Sequence, residues 1–208
     1  VPDDQAGTGR ESEDRGVLTR PARPPSFDWR YGPLPDQIAD VFTPAGPGRS
    51  TMVLVHGGFW RPEYDRLHLR PLADALVQEG YLVVSLEYRR IPGAPDASVD
   101  DVRLALRRLA AGDVPTHLPP ARHLIGHSAG GARAYMFGKR MADEAKFHPT
   151  IITLDAATVW GDVYRCPVEN CINIHSATYP RIPGSYNLRS SNVTDSIVTH
   201  VSIPFNTD

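Results

Sequence analysis

Two hydrophobic rhythms alternate along the middle of this chain. Thr51-Met52-Val53-Leu54-Val55 is an unbroken apolar run of strand length, the pattern of a strand buried on both faces. After it, Leu67, Leu69, Leu72, Ala73, Leu76 and Val77 recur at helical spacing, and Gly80 follows as a stop signal. Tyr81 to Leu86 reads as the next buried strand. The loop from Arg89 to Pro95 then leads into Val99, Val102, Leu104, Ala105, Leu106 and Leu109, a second helix closed by Gly112. Arg122 to Ile125 predicts a third strand, Ala129 to Ala145 a third helix and Thr150 to Leu154 a fourth strand. Upstream, Phe27 to Tyr31 and Gln37 to Phe42 form two short strand candidates separated by the turn signal Gly32-Pro33-Leu34-Pro35-Asp36. Strands that alternate with helices of this length must run parallel and be joined by crossovers, so the expected class is α/β: a doubly wound, mostly parallel sheet with helices on both faces. Beyond Asp155 the rhythm fails. Ile172 to Ile174 and Ser196 to Thr199 are short apolar pieces among Pro, Ser, Asn and Thr, enough for loops and one or two strands.

Composition adjusts this picture at the ends. Eight of the 20 prolines fall in the first 50 residues, mixed with Gly, Asp and Arg, so residues 1–26 are expected to be an extended or disordered arm and 27–208 a single domain. A net charge of -2 leaves no electrostatic footprint for nucleic acid. No apolar run of about 18 residues predicts a membrane span, and Val1 to Arg20 lacks the pattern of a signal peptide. The expected location is therefore cytoplasmic, with secretion left open. Cys166 and Cys171 have no second Cys or His pair at zinc spacing, so no metal is expected. Two reduced thiols are preferred over a small disulfide loop. Asn192-Val193-Thr194 matches a glycosylation acceptor, taken as incidental without a secretory signal.

The chemistry is carried by Gly126-His127-Ser128-Ala129-Gly130, which lies between a predicted strand and a predicted helix. A nucleophile elbow needs that context: a sharp strand-to-helix turn lifts the Ser Oγ above the sheet, and small flanking residues let neighbouring backbones come close. The following helix would aim its N-terminal amides at the oxyanion of an acyl transfer. The bland alternative is a glycine-rich turn with an incidental serine. His56-Gly57-Gly58-Phe59-Trp60 follows the first long strand, where a second oxyanion donor belongs. Adjacent glycines let the N–H of Gly58 or Phe59 point at the substrate oxygen beside that of Ala129. Its bland alternative is a tight turn packed by two aromatics. His56 precedes the serine, so it is expected to shape the loop by hydrogen bonding. Trp60 and His127 are the candidate substrate-binding side chains.

Together these two motifs resemble the α/β-hydrolase superfamily, in particular small bacterial esterases and kynurenine-formamidase-like hydrolases whose strand ends in His-Gly-Gly-aromatic-Trp. The likeness covers roughly residues 30 to 135, including Tyr31-Gly32-Pro33 and Glu87-Tyr88-Arg89. It implies a serine hydrolase with no metal or organic cofactor and a small-molecule acyl substrate. After Tyr135 the sequence departs from that branch, lacking its Gly-x-x-Asp setting for a late acid.

In such a fold the triad runs Ser, acid, His. Asp155, at the end of the strand Thr150 to Leu154, is the expected acid, with Asp162 and Asp195 in reserve. Of the histidines after Ser128, His148 precedes every acid candidate. His200 is favoured over His175 because Ser196 to Thr199 leads straight into it, whereas His175 has no clear anchoring element. The expected mechanism has His200 deprotonate Ser128, which attacks the acyl carbon; Gly58 or Phe59 with Ala129 hold the oxyanion, and water cleaves the acyl-enzyme. An esterase for short acyl chains is the first reading. An aryl formamidase and a non-catalytic binding protein of the same fold are the alternatives; oligomeric state is not legible.

Overall fold

A computed structural model describes residues 20–58, 64–119, 121–127, 130, 134, 150–154, 171–175 and 186–189. Among the described residues eight strands form one sheet: β1 (Phe27–Arg30), β2 (Ile38–Phe42), β3 (Thr51–Val55), β4 (Leu82–Leu86), β5 (Ala121–His127), β6 (Thr150–Leu154), β7 (Cys171–His175) and β8 (Tyr186–Arg189). Their order across the sheet is β1-β2-β4-β3-β5-β6-β7-β8. From β4 to β8 all neighbours are parallel, while β1 and β2 add an antiparallel edge. The reversal between β4 and β3 leaves adjacent connections on opposite faces, which is what doubly wound means physically.

The pleat decides what each face buries. Met52, Leu54, Val83, Ile125 and Ile152 point one way, onto Leu69, Leu72, Ala73, Leu76 and Val77. Those residues belong to a 3-10 turn (Arg66–Leu69) and helix α1 (Arg70–Gln78). Each such aliphatic side chain contributes roughly 1.5–3 kcal/mol when fully buried. Val53, Val55, Val84, Leu86, Leu124 and Ile151 point the other way, onto Val102, Ala105 and Leu106 of helix α2 (Pro95–Ala111) and onto Ala134.

Helix α2 begins at Pro95, earlier than its apolar spacing marks, because proline in the first turn forfeits no helical hydrogen bond. It ends at Gly112, whose φ of 79° is left-handed and whose N–H bonds back to the Arg108 and Leu109 carbonyls. Strand β5 runs on through Gly126 and His127, since β6 stays in register with it as far as His127 opposite Leu154. In the irregular region beyond Asp155 the described residues form β7, over Ile172 to Ile174, and β8, which no apolar run announced. No described helix is long and apolar enough to cross a membrane.

Candidate active site

Val55 pairs with Leu86 on one side and Gly126 on the other. The next residues along, Glu87, His56 and His127, therefore leave three adjacent parallel strands at the same level. By the two-residue alternation they share the face covered by the 3-10 turn and α1. Asp40, between the oppositely directed Ala39 and Val41, falls on that face too. Glu87, His56 and His127 thus form a row of polar groups at the carboxyl edge of the parallel strands, with Asp40 below it, opposite Ser85.

His56 is fully buried. Its Nδ1 lies 2.8 Å from the Gly57 carbonyl oxygen and its Nε2 3.0 Å from Glu87 Oε1. The ring stacks on Tyr88 at 4.2 Å, and the Tyr88 hydroxyl donates to the His56 carbonyl at 2.5 Å. Both imidazole nitrogens are engaged, so His56 shapes the loop, as its place ahead of the serine suggested. Gly58 follows with φ of 112°, a conformation L side chains rarely adopt, and a Cβ there would run into the Tyr64 side chain. Glycine at position 58 is thus required by backbone conformation and by the returning chain at once.

Gly130 closes the site from the other side. It is helical and buried, and a Cβ on it would strike the carbonyl oxygens of Val55 and His56. The second glycine of Gly-x-Ser-x-Gly is what lets its helix descend onto the exit of β3, at the start of the Gly-Gly loop.

Buried charges surround this loop, and each is answered. Asp40 accepts from Arg66 Nε at 2.6 Å and Arg70 Nε at 2.7 Å. Burial would raise the Glu87 carboxyl, but its hydrogen bond and charge interaction with His56, the Arg66 N–H at 3.1 Å and nearby Arg90 outweigh that and hold it below the usual range. His68, 4% exposed, sits edge-on to His56, Tyr64 and His127 at 5.8, 5.8 and 6.3 Å between ring centroids. Burial, then the neighbouring His56 and His127, push its imidazole down to about 3, so it is neutral. Its Nδ1 finds no hydrogen-bond partner among the described residues. A second network lies nearer α2: Asp101 accepts from Gln37 at 2.7 Å and from the Arg89 N–H and side chain at 2.8–2.9 Å.

Of the sequence candidates, Gly58 lies on the loop just described, and His127, half-buried, ends β5 beside His68. Phe59, Trp60, Ser128, Ala129, Asp155 and His200 lie outside the described residues, as do His148, Asp162, Asp195, Cys166 and the segment Ser196 to Thr199. The supposed lack of an anchor for His175 is corrected: it is the last residue of β7, at the carboxyl edge of the sheet. That reason for preferring His200 is removed. Sequence reading gave no role to Glu87, His68 or Asp40. Asp40 and Glu87 did carry a signal, a charge within or at the end of an apolar strand. His68 carried none.

Among the described residues no group of three or more His, Cys, Asp or Glu side chains is placed to hold a metal ion. A cavity of about 660 Å³, bordered by Leu106, Leu109, Val114, His117 and Leu118, opens at the amino end of β5, the edge opposite the Gly-Gly loop.

Comparison with known proteins agrees with this architecture. Esterase B from Lactobacillus rhamnosis superposes with a TM-score of 0.54 at 20% identity, over 68% of this chain and 52% of that one. The chain thus spans about half the length of that enzyme. A protein from Silicibacter sp. TM1040, provisionally assigned as a thioesterase, gives a TM-score of 0.56 at 18% identity, over 90% of this chain and 87% of that one. At such identities the likeness is one of fold. No curated protein matches by sequence. The model of the alpha/beta hydrolase family matches residues 52–191. That span takes in both glycine motifs and the sheet from β3 to β8, and the chain belongs to the alpha/beta hydrolase family.

Proposed function

We propose that this protein is a serine hydrolase that cleaves a carboxylic ester with a short acyl chain through an acyl-enzyme. Ser128 is the nucleophile, the amides of Gly58 or Phe59 and Ala129 hold the oxyanion, and Trp60 and His127 border the substrate. The observation that carries this reading is the packing of Gly130 against the carbonyls of Val55 and His56. It ties the helix after Ser128 to the Gly-Gly loop, and an oxyanion hole built from both needs that fixed distance. The register adds support for Asp155 as the acid, because β5 and β6 end level with one another, His127 opposite Leu154, immediately before Ser128 and Asp155. The base is His200, with His175 now a full competitor. Because the base and the acid act as a unit with the serine, losing the base should cost nearly as much as losing the serine, and losing the acid should lower activity strongly.

The test is labelling with a fluorophosphonate probe together with hydrolysis of p-nitrophenyl acetate. Both are expected in the native protein and absent in Ser128→Ala, whose folding should be unchanged. Turnover retained in Ser128→Ala would end the serine-hydrolase reading, and cleavage of N-formylkynurenine in preference to the ester would move the substrate to aryl formamides.

A further inference from the structure

We propose that Glu87 is the positioning residue of the oxyanion loop, a role that rests on the hydrolase reading above for its catalytic consequence but not for its structural one. One carboxyl group grips the loop at both ends. Glu87 Oε1 meets His56 Nε2 at 3.0 Å, just before Gly57 and Gly58. Glu87 Oε2 accepts the Arg66 backbone N–H at 3.1 Å, where the chain returns after Tyr64 has packed on Gly58. The residues between these two anchors include the candidate amides of Gly58 and Phe59. The side chain is enclosed, 4% exposed, so water does not compete for either anchor.

The hydrogen bonds at His56 leave little freedom. Nδ1 faces the Gly57 carbonyl, which only accepts, so that nitrogen carries a proton. Nε2 faces Glu87 Oε1 at 3.0 Å, so both ring nitrogens have a partner. The imidazole is thereby held between Glu87 and the Gly57 carbonyl, which is turned toward it. Turning that carbonyl orients the peptide whose N–H belongs to Gly58, the first candidate oxyanion donor. Glu87 never touches the substrate in this account; it acts through His56 and the Arg66 backbone.

Glutamine is a poor replacement. Oε1 also receives the Tyr88 N–H at 3.2 Å and lies 3.3 Å from Arg90 Nη2. Oε2 receives the Arg66 N–H and lies 3.9 Å from Arg66 Nη1. A carboxamide with its NH2 at the Oε2 position faces the Arg66 N–H and releases that end of the loop; with its NH2 at the Oε1 position it faces the Tyr88 N–H and Arg90, which strains the contact with His56. Aspartate keeps the charge but is one methylene too short to reach both ends.

The experiment combines backbone amide NMR with steady-state kinetics on p-nitrophenyl acetate for the native protein, Glu87→Gln and Glu87→Asp. In both variants the Gly57 and Gly58 amide resonances should shift or broaden, while those of Leu106 and Leu109 in α2 stay put. The catalytic rate should fall about 10- to 100-fold, with KM within about two-fold, the signature of lost oxyanion alignment rather than lost binding. Should Glu87→Gln fail to fold, Glu87→Asp, which keeps the charge for Arg66 and Arg90, carries the comparison. Unmoved Gly57 and Gly58 resonances, or an unchanged rate in a protein that turns over the ester, would overturn the proposal. A native protein without any turnover would count against the hydrolase reading alone, because the resonances report on the loop without it.

Discussion

Replacing Gly130 by alanine tests how tightly the elbow helix and the Gly-Gly loop are locked. An alanine Cβ would fall well inside 3.0 Å of the Val55 and His56 carbonyl oxygens, whereas ordinary contact begins near 3.4 Å. Both obstacles are backbone atoms of a strand held by β4 on one side and β5 on the other, so no side-chain rotation relieves the clash. Helix and strand must part by on the order of 1 Å. Overpacking of this kind typically costs about 1–3 kcal/mol. In a chain of this size each kcal/mol lowers Tm by about 2–4 °C, which predicts a fall of roughly 2–12 °C. A 1 Å misplacement at a reacting centre costs about 100-fold in rate, so p-nitrophenyl acetate turnover should drop by that order. Two other glycines serve as controls. At Gly46 an added Cβ would meet nothing within 4 Å and φ is not positive, so Gly46→Ala should leave both quantities unchanged. Gly112 has open space but φ of 79°, so Gly112→Ala should lose about 1–2 kcal/mol of stability and no activity. Differential scanning calorimetry and steady-state kinetics read all three. Gly130→Ala with native Tm and native rate would refute the reasoning.

The remaining predictions concern buried charge. The neutral His68, held down to about 3 against an ordinary 6.5 by burial first and by His56 and His127 next, refuses a proton that the unfolded chain accepts. The stability it contributes is complete above about pH 6.5 and is lost as pH falls toward 3, at up to about 1.4 kcal/mol per pH unit. His68→Leu should remove that slope from urea unfolding measured between pH 6.5 and 4; an unaltered slope would contradict the assignment. Burial alone would raise the Asp101 carboxyl, but hydrogen bonds from Arg89 and Gln37 hold it below the usual range, so its contribution is present above about pH 4 and lost in acid. Asp101→Asn turns an NH2 toward these donors and should cost about 2–4 kcal/mol in urea at pH 7, with catalysis largely spared because the network lies toward α2. Native stability in that variant would show the network to be dispensable.

Strand and helix periodicity is a local property, so the chain could announce β3, β6 and α1 by itself: an apolar run from Thr51 to Val55 and a helical stripe from Leu69 to Val77 bury the same faces in any mostly parallel sheet. The glycines at 58 and 130 stand out in the sequence as small residues in turn-like settings, and Gly58 does adopt a positive φ. What local pattern cannot hold is register. Only the pairing of Val55 with both Leu86 and Gly126 sets Glu87, His56 and His127 in one row, across gaps of about 30 and 70 residues. The same pairing turns a charge at the end of an apolar strand into the partner of His56. Asp40 reads as an interruption of β2 until the face it points to is known to carry Arg66 and Arg70. His175 reads as unanchored until β7 is seen to run parallel to β6 and to end there. Gly130 shows both levels at once: the sequence marks it as the small residue of an elbow, and the tertiary structure alone names the two carbonyl oxygens that leave no room for a Cβ.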